Sequence, residues 1–474
     1  MLFINGSWKK TDEKETIYNP ANGEAVGEVF LGGTNETEQA VTAAHDAFLE
    51  WRKTTGKERA AFLRALVSEL DTHKRAIAET ATKEMGKPLA DAEREVLVAI
   101  DYLEWYAEEA KRIYGEVLPP SDPAKQLLVI RQPIGVTAAI TPWNFPISMI
   151  IRKLAPAVAA GCTMLIKPAP STPLTAVKLF ECIERAGFPK GVLNLVHGDA
   201  VAIGKEMTSN PLVKKLTFTG STAVGKKLIE QSAEHVQKVS MELGGHAPFI
   251  IFDDADLDNA VAAVIGTKFK NAGQTCISTN RIYVQQSVAE VFSEKLAAAV
   301  QNILVGDGMN QDIDMGPLIS TEALDKVERQ VKNAVQEGAS ITSGGAKTGE
   351  PGYFYEPTVL SGVTEEMTIA TEETFGPVAP IFIFETEEEV VQRANNTSYG
   401  LAGYCFTKDM DRVLRMMHQL DYGMIGMNDP AIVVPQAPFG GVKESGLGRE
   451  GGTSGLYEYL EEKYISIRAV SALL

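Results

Sequence analysis

Short apolar runs alternate with helical segments through the middle of this chain of 474 residues. The alternating segments cover, in order, residues 163–167, 174–186, 192–196, 201–209, 215–218 and 223–232. Strands and helices that alternate at this spacing predict a parallel sheet with helices on both of its faces. The chain is also longer than the roughly 250–300 residues over which one core keeps growing, so we expect two or more domains.

The sequence on either side adds further elements to this pattern. Apolar stripes at helical spacing predict three helices near the start, at residues 36–53, 57–84 and 91–114. Strands are predicted at residues 126–131, 134–140 and 464–468. A second alternation of strand and helix covers residues 247–252, 257–270, 281–284 and 288–303. This second alternation predicts a second α/β unit.

The charge and the cysteine content exclude several classes of partner. The chain has 45 Lys and Arg against 62 Asp and Glu, a formal net charge of −17, which argues against nucleic acids and anionic membranes as partners. No run of about 18 apolar residues occurs, and the start lacks a basic or long apolar region, so we expect a cytoplasmic protein. The cysteines lie far apart without a CxxC motif, so neither a disulfide framework nor a metal site is predicted. They are Cys162, Cys182, Cys276 and Cys405.

One of these cysteines is a candidate nucleophile. Cys276 lies in a polar, glycine-containing stretch, and the carboxylate of Glu242 is available upstream. Only a thiolate attacks a carbonyl well, so such a cysteine needs local groups that favour loss of its proton. The alternative is that Cys276 is a small buried apolar residue, which is the commoner situation for a cysteine.

Five short segments resemble the signature segments of the aldehyde dehydrogenase superfamily. They occur in the family's order, as PWNFP at 142–146, FTGST at 218–222, ELGG at 242–245, GQTC at 273–276 and ETFGP at 373–377. The resemblance covers nearly the whole chain and implies an α/β fold with a parallel-sheet cofactor-binding domain and an α/β catalytic domain. It also implies a small β oligomerisation segment that would pair subunits into a homodimer or homotetramer. The implied boundaries are 1–117 and 138–245 for the cofactor-binding domain, 246–440 for the catalytic domain, and 118–137 and 441–474 for the oligomerisation segment.

The same resemblance implies roles for three residues in the oxidation of an aldehyde by NAD or NADP. Cys276 would add to the aldehyde, Asn144 and the Cys276 backbone N–H would hold the oxyanion, and Glu242 would activate the water that hydrolyses the thioester. Relatives that pass the acyl group to coenzyme A lack this base, so Glu242 favours release of the free acid. Taken alone, Asn144 is more simply a turn residue.

The resemblance also implies a nicotinamide-cofactor site. Gly220 ends a predicted strand and opens a helix, whose free N–H groups suit a pyrophosphate; a plain turn is the alternative. Lys167 matches a lysine that binds the adenosine ribose. Pro170 stands where NAD-selective relatives have Glu, so we expect both NAD and NADP to bind. The other implied cofactor residues are Thr141, Pro142, Trp143, Ser171, Ser221, Val224, Leu243, Glu373 and Phe375. Residues 446–451 match G-x-G-x-x-G, but no strand leads into them, and they are not predicted to bind a dinucleotide.

Within the family, the chain most resembles succinate-semialdehyde dehydrogenases. Arg152 matches an arginine that holds the distal carboxylate of the substrate, and Phe145 and Phe439 are predicted to line the same pocket. Lys270 replaces a second arginine, so the charge is kept but the planar fork of a guanidinium is lost. Alternatively, Lys270 only closes a helix C-terminus.

The predicted substrate is therefore a short aldehyde with a distal anionic group, with succinate semialdehyde as the first choice. A serine of the family's substrate pocket is replaced by Val433 or Val434, which changes the shape of that pocket. The alternatives are sulfolactaldehyde, another small hydroxyaldehyde, or a catalytically silent binding protein of the same fold. Ser278 stands where some relatives have a second cysteine that forms a regulatory disulfide, so this chain cannot form that bond.

Overall fold

Two large sheets and two small ones organise the chain. The computed structural model describes residues 1–348 and 351–468. Its strands, in chain order, are β1 (Leu2–Ile4), β2 (Ser7–Lys9), β3 (Lys14–Tyr18), β4 (Ala25–Phe30), β5 (Glu116–Leu118), β6 (Lys125–Pro133), β7 (Val136–Ile140), β8 (Thr163–Lys167), β9 (Leu193–Leu195), β10 (Val213–Thr219), β11 (Lys238–Glu242), β12 (Ala247–Ile251), β13 (Thr279–Gln285), β14 (Ser340–Ser343), β15 (Thr358–Ser361), β16 (Val378–Phe384), β17 (Ala402–Phe406), β18 (Met424–Met427), β19 (Gly446–Leu447) and β20 (Leu460–Arg468).

The α-helices cover the faces of the two large sheets. They are α1 (Thr34–Trp51), α2 (Gly56–Met85), α3 (Leu89–Glu109), α4 (Ser148–Ala160), α5 (Pro173–Arg185), α6 (Ala200–Ser209), α7 (Thr222–Ser232), α8 (Leu257–Val264), α9 (Gln286–Val300), α10 (Thr321–Gln336), α11 (Thr368–Thr371), α12 (Glu387–Asn395), α13 (Met410–Gln419) and α14 (Gly452–Tyr457). Within the described residues, no helix is long and apolar enough to cross a membrane.

The first sheet has the strand order β19-β11-β10-β7-β8-β9-β1-β2. The strands from β11 to β9 are parallel, and β19 and β1 join them antiparallel. Alternate residues of β8 enter different cores: Met164 and Ile166 pack among helices α2 to α5, and Leu165 packs with helices α1, α6 and α7. Because successive side chains of a strand point to opposite faces, helices cover both faces. The predicted parallel sheet with helices on both faces is confirmed.

The second sheet has the order β14-β15-β16-β13-β12-β17-β18, with every neighbouring pair parallel except β14 with β15. A separate core packs around it and includes Phe249 of β12, Phe292 of α9 and Val327 of α10. The second predicted α/β unit is therefore present. In parallel sheets of this kind, ligands bind outside the carboxyl ends of the strands, which directs attention to that edge.

Two small sheets complete the fold. Strand β20 pairs antiparallel with β6 along its whole length, and β5 pairs with the other side of β6. Strands β3 and β4 pair with each other. Strand β19 falls within the stretch 441–474 that the resemblance assigned to oligomerisation, yet it lies at the edge of the first sheet. The division of the chain into three units stays a prediction.

Near the start of the chain the structure contains four strands that are not predicted from the sequence, and it differs from one predicted helix. The first 30 residues contain strands β1 to β4, which are too short for their apolar period to stand out beside the long helices that follow. The helix predicted over 257–270 ends at Val264, and one turn of π-helix, Ile265–Phe269, follows it. Asn271 and Ala272 then have φ of 52° and 53°, a left-handed conformation that no right-handed helix can contain.

Candidate active site

Cys276 lies where two cavities meet. The first cavity has a volume of about 360 Å³, the second has a volume of about 300 Å³, and the partly exposed Cys276 lines both. The lining of the first includes Lys87, Asp91, Arg94, Glu95, Phe145, Arg152, Lys270, Tyr404, Val433 and Phe439. The lining of the second includes Pro142, Trp143, Asn144, Gly220, Ser221, Leu243, Lys326, Glu373 and Phe375. A thiol at this junction can contact ligands in both cavities.

Close backbone contacts fix the loop that carries Cys276. A Cβ on Gly273, which has φ +71°, would lie 2.2 Å from the carbonyl oxygen of Gly376. A Cβ on Gly245 would lie 2.2 Å from the carbonyl oxygen of Cys276. Only glycine allows either approach. The turn that follows β11 therefore packs directly against the loop that carries Cys276, which brings Glu242 and Cys276 into the same region.

The Asn144 side chain is held close to the same loop. Its Nδ2 donates to the carbonyl oxygen of Gln274 at 2.9 Å, and the residue is 5 % exposed. Its Oδ1 has no hydrogen-bond partner in the part of the chain that the structure describes. One proton of the Asn144 amide is therefore used to hold the side chain in place. The second remains available to an atom that enters the cavity.

Glu242 belongs to a buried group of two carboxylates and two cations. Glu450 accepts a hydrogen bond from Lys153, and its Oε2 lies 3.2 Å from Nε of Arg152. Burial, and then repulsion by Glu450, raise the pKa of Glu242 well above its usual range. Burial opposes ionisation of Glu450 as well, but Lys153 and Arg152 hold the pKa of that carboxyl below its usual range. The two carboxylates therefore differ: Glu450 stays charged, and Glu242 readily holds a proton.

The thiol of Cys276 is protonated in this state. Burial, and then the nearby Glu373, raise the pKa of Cys276 to about 12. The partly buried Glu373 itself accepts a hydrogen bond from the backbone N–H of Gly245 at 2.9 Å, and desolvation raises its pKa to about 7. Attack by Cys276 therefore requires a proton acceptor or a change in the local charge when ligands bind.

The implied cofactor residues gather at the carboxyl edge of the first sheet. Strands β7, β8 and β10 end in register there, with Ile140 opposite both Lys167 and Phe218. The N–H of Thr141 donates to the carbonyl oxygen of Lys167 at 3.1 Å. The implied residues Pro142, Trp143, Gly220, Ser221, Leu243, Glu373 and Phe375 line the second cavity, whereas Thr141, Lys167, Pro170, Ser171 and Val224 lie outside its lining.

These residues fit a nicotinamide dinucleotide. Lys167 is buried, and its Nζ donates a hydrogen bond to the carbonyl oxygen of Pro168 at 3.1 Å. Burial lowers the pKa of Lys167 to about 8. The hydroxyl of Thr141 is buried without a hydrogen-bond partner among the described residues. Ser221 caps the N-terminus of α7 through the N–H of Val224 at 3.4 Å, so this helix end faces the second cavity. Free donors at a helix N-terminus suit a pyrophosphate.

The implied substrate residues line the first cavity. Arg152 is 3 % exposed, and its guanidinium lies 3.9 Å from the centre of the Phe439 ring. Its Nη2 has no hydrogen-bond partner within the described ranges. Lys270 lies nearer the solvent, with its Nζ 3.5 Å from a carboxylate oxygen of Asp91. Of the two valines that replace the serine of the family, Val433 lines this cavity.

Several residues of the site are not identified from the sequence. Lys87, Glu95, Asp91 and Arg94 of the α2–α3 region line the first cavity, although the apolar period of this region indicates only an amphipathic helix. Glu450 belongs to the segment 446–451, which the resemblance places in the oligomerisation segment and does not connect with the active site. The only sequence signal for this residue is that the glutamate is followed directly by two glycines. In the described part of the chain, no cluster of His, Cys, Asp and Glu could hold a metal ion.

Two solved structures match almost the whole chain. One is titled an NADP-dependent enzyme of Escherichia coli; it is 49 % identical, with a TM-score of 0.98, and the match covers 99 % of this chain and 98 % of the other. The second is betaine aldehyde dehydrogenase from Staphylococcus aureus in complex with NAD+; it is 37 % identical, with a TM-score of 0.96, and the match covers 100 % and 98 %. The fold and the site thus define an oxidoreductase that uses a nicotinamide cofactor.

The sequence comparisons define the family. The model of the aldehyde dehydrogenase family matches residues 8–465. A 3-sulfolactaldehyde dehydrogenase and a glutarate-semialdehyde dehydrogenase, both of Pseudomonas putida, are each 51 % identical, over 99 % and 98 % of this chain and 97 % of each relative. The succinate-semialdehyde dehydrogenase [NADP(+)] GabD of Escherichia coli is 50 % identical over 98 % of this chain and 97 % of its own. The chain belongs to the aldehyde dehydrogenase family. The predicted fold class, aldehyde oxidation and the nicotinamide cofactor are confirmed.

The exposed Pro170 generates a prediction about the choice of cofactor. Replacing Pro170 by Glu places a negative charge just beyond Lys167, where it would repel a 2′-phosphate. We expect Pro170→Glu to raise KM for NADP about tenfold relative to NAD, because the exposed charges are partly screened. Steady-state kinetics with both cofactors measure this ratio. Pro170→Gln is the uncharged control. An equal effect of Gln, or a parent protein that already rejects NADP by orders of magnitude, would contradict the prediction.

Proposed function

We propose that this protein oxidises a short aldehyde with a distal anionic group to the free acid, with succinate semialdehyde as the first candidate. The observation that carries this proposal is Arg152, which lines the same cavity as Cys276 and whose buried guanidinium has an N–H without a hydrogen-bond partner among the described residues. An unpaired donor on a buried charge is costly unless a ligand satisfies it. A carboxylate or sulfonate at the far end of the aldehyde would do so.

The covalent chemistry is assigned to Cys276 and Asn144. The thiol of Cys276 loses its proton to solvent water, the resulting thiolate adds to the aldehyde carbon, and the carbonyl oxygen becomes an oxyanion. The free proton of the Asn144 amide, with the backbone N–H of Cys276, donates to this oxygen. A neutral donor stabilises the oxyanion without preventing its collapse to the thioester. The bound nicotinamide supplies the hydride acceptor for that collapse.

Glu242 is assigned to the second half of the reaction. Its raised pKa makes the Glu242 carboxylate a stronger base, which takes a proton from water as the water attacks the thioester and the thiolate of Cys276 leaves. Burial and then repulsion by Glu450 raise this pKa, and the cations Arg152 and Lys153 oppose the rise. Because the base works only when ionised, hydrolysis slows as the pH falls through the raised pKa of Glu242.

A Glu242→Gln substitution tests this assignment. We expect it to leave the first hydride transfer intact and to stall hydrolysis, giving a burst of up to one NAD(P)H per site and little turnover afterwards. Stopped-flow absorbance at several pH values measures both phases, and the pH dependence of the slow phase should be lost in the variant. Cys276→Ala is the matched control and should show no burst while still binding cofactor. A full steady-state rate in Glu242→Gln would mean that another group activates the water.

The aldehydes named for the relatives support an anionic substrate. Succinate semialdehyde, glutarate semialdehyde and 3-sulfolactaldehyde each combine an aldehyde with a distal carboxylate or sulfonate, and they differ in length and head group. In this chain the outer cation, Lys270, is partly neutralised by Asp91, which also lies 3.8 Å from Arg94. The buried Arg152 is therefore the stronger candidate for the distal anion, with Lys270 acting near the entrance.

Arg152→Ala tests the recognition of the anion. Loss of a charge-assisted hydrogen bond weakens binding by ~1.5–3 kcal/mol, so KM for succinate semialdehyde should rise about ten- to a hundredfold. A neutral aldehyde of similar length, assayed on the same variant, is the control for general damage to the site. Lys270→Arg, which restores a planar fork, should keep or improve kcat/KM for the carboxylate substrate. Equal losses for neutral and anionic aldehydes in Arg152→Ala would contradict the proposal.

We also propose that the third sheet joins subunits into a homodimer or homotetramer. Val117, Ile130 and Ile467 are exposed by 79 %, 40 % and 45 %, and the pairing of β5, β6 and β20 puts them on one face. An exposed apolar face on a sheet is typical of an interface between proteins.

Light scattering after size-exclusion chromatography tests this proposal. We expect the parent protein at two or four times the chain mass of 51.3 kDa. Ile467→Asp should shift it towards smaller species, because it places a charge on the apolar face. Ser466→Asp places the same charge on the opposite face of β20, and it should have the weaker effect. A parent protein that runs as a monomer would contradict the proposal.

A further inference from the structure

A buried ion pair in the lining of the first cavity contacts the segment that carries Asn144. Lys87 directly follows Gly86, which ends α2 in a left-handed conformation, and Glu95 lies on the second turn of α3. The side chains of Lys87 and Glu95 are 1 % and 2 % exposed, and Nζ of Lys87 lies 2.6 Å from Oε2 of Glu95. Neither residue has a role in the chemistry assigned above.

Both charges use their other hydrogen bonds on one short stretch of backbone. Nζ of Lys87 donates to the carbonyl oxygen of Asn144 at 2.8 Å. Oε1 of Glu95 accepts from the backbone N–H groups of Ile147 and Ser148 at 2.8 and 3.0 Å. The ammonium also lies 4.1 Å from the centre of the Phe145 ring. The backbone from Asn144 to Ser148 is therefore held at both of its ends by a single ion pair.

The far end of the Asn144 side chain is held independently. Its amide donates to the carbonyl oxygen of Gln274. The Gln274 side chain in turn accepts from the N–H of Ile319 at 3.0 Å and donates to the carbonyl oxygen of Asn271 at 3.1 Å. With its backbone fixed by Lys87 and its amide fixed by Gln274, the second amide proton of Asn144 can point in only one direction.

We propose that Lys87 and Glu95 are positioning residues that hold the Asn144 amide where the oxyanion forms. This inference rests on the oxyanion role proposed for Asn144. A buried ion pair is weak evidence for stability, because removing two charges from water is expensive. The geometric consequence is the stronger effect, since an oxyanion donor acts only when it is correctly placed before the reaction.

A double-mutant cycle between Lys87 and Asn144 tests the proposal. Lys87→Met alone should lower kcat about ten- to a hundredfold, the size of effect that a misplaced donor produces, with the Kd of NAD(P) unchanged. If Lys87 acts through Asn144, then Lys87→Met combined with Asn144→Ala should have the kcat of Asn144→Ala alone, within about twofold. The burst rate should follow the same pattern, because oxyanion formation precedes hydride transfer.

Two further variants keep the test decisive. Glu95→Gln is the more conservative change, for use if Lys87→Met does not fold, because the amide oxygen can still accept from the N–H groups of Ile147 and Ser148. In the Asn144→Ala background, Glu95→Gln should lower kcat no further. Lys215→Met is the matched control, since Lys215 is another buried lysine, paired with Glu458 at 3.2 Å and without contact to Asn144. Any loss of kcat that it causes should multiply with that of Asn144→Ala.

The outcomes separate the positioning role from the proposed function. Losses that multiply for Lys87→Met or Glu95→Gln with Asn144→Ala would overturn the positioning role while leaving the oxyanion role of Asn144 intact. A parent-like kcat in Asn144→Ala would overturn the oxyanion role, and the positioning role would fall with it. Parent-like activity in a folded Lys87→Met variant would overturn the positioning role alone.

Discussion

The contact between Gly245 and the carbonyl oxygen of Cys276 is the constraint on which the site depends. At this contact the turn that follows β11 of the first sheet packs against the loop that precedes β13 of the second sheet. Each sheet therefore supplies part of the active site. Glu242 enters from one side and Cys276 from the other. Two cavities open on either side of this junction, and the thiol reaches both. A side chain at position 245 would push the turn after β11 away from the loop that carries Cys276.

The electrostatics of the site follow from burial more than from the net charge of the chain. The protein as a whole is strongly acidic, yet the group that contains Glu242 pairs two carboxyl groups with two cations. In a dry interior each of these charges is felt by all the others. Burial first, and then the charge of Glu450, therefore favour a proton on Glu242, and the same Arg152 that balances Glu450 lines the substrate cavity.

Much of this structure could be predicted from the sequence, and the exceptions have physical reasons. The predicted bounds of strand β8 match the observed ones because a short apolar run between two helical segments is typical of a buried parallel strand. The end of α8 at Val264 was not predicted because the apolar period of the sequence does not distinguish an α-helix from the turn of π-helix, Ile265–Phe269, that continues it. Lys87 and Glu95 were missed because a charged residue in an amphipathic pattern is normally assigned to the solvent, and only the fold shows that they face each other. The roles of the site residues came from the resemblance and stay predictions.

The protonated state of Cys276 has a consequence for the durability of the protein. Oxidants and alkylating agents react with thiolates, and a thiol whose pKa is about 12 offers very few at neutral pH. Ser278 supplies no second sulfur, and Cys162, Cys182 and Cys405 are fully buried, so an oxidised Cys276 has no resolving thiol to return it to the reduced form. In the absence of ligands, desolvation of the Cys276 thiol favours its protonated form and so lowers its reactivity towards such agents.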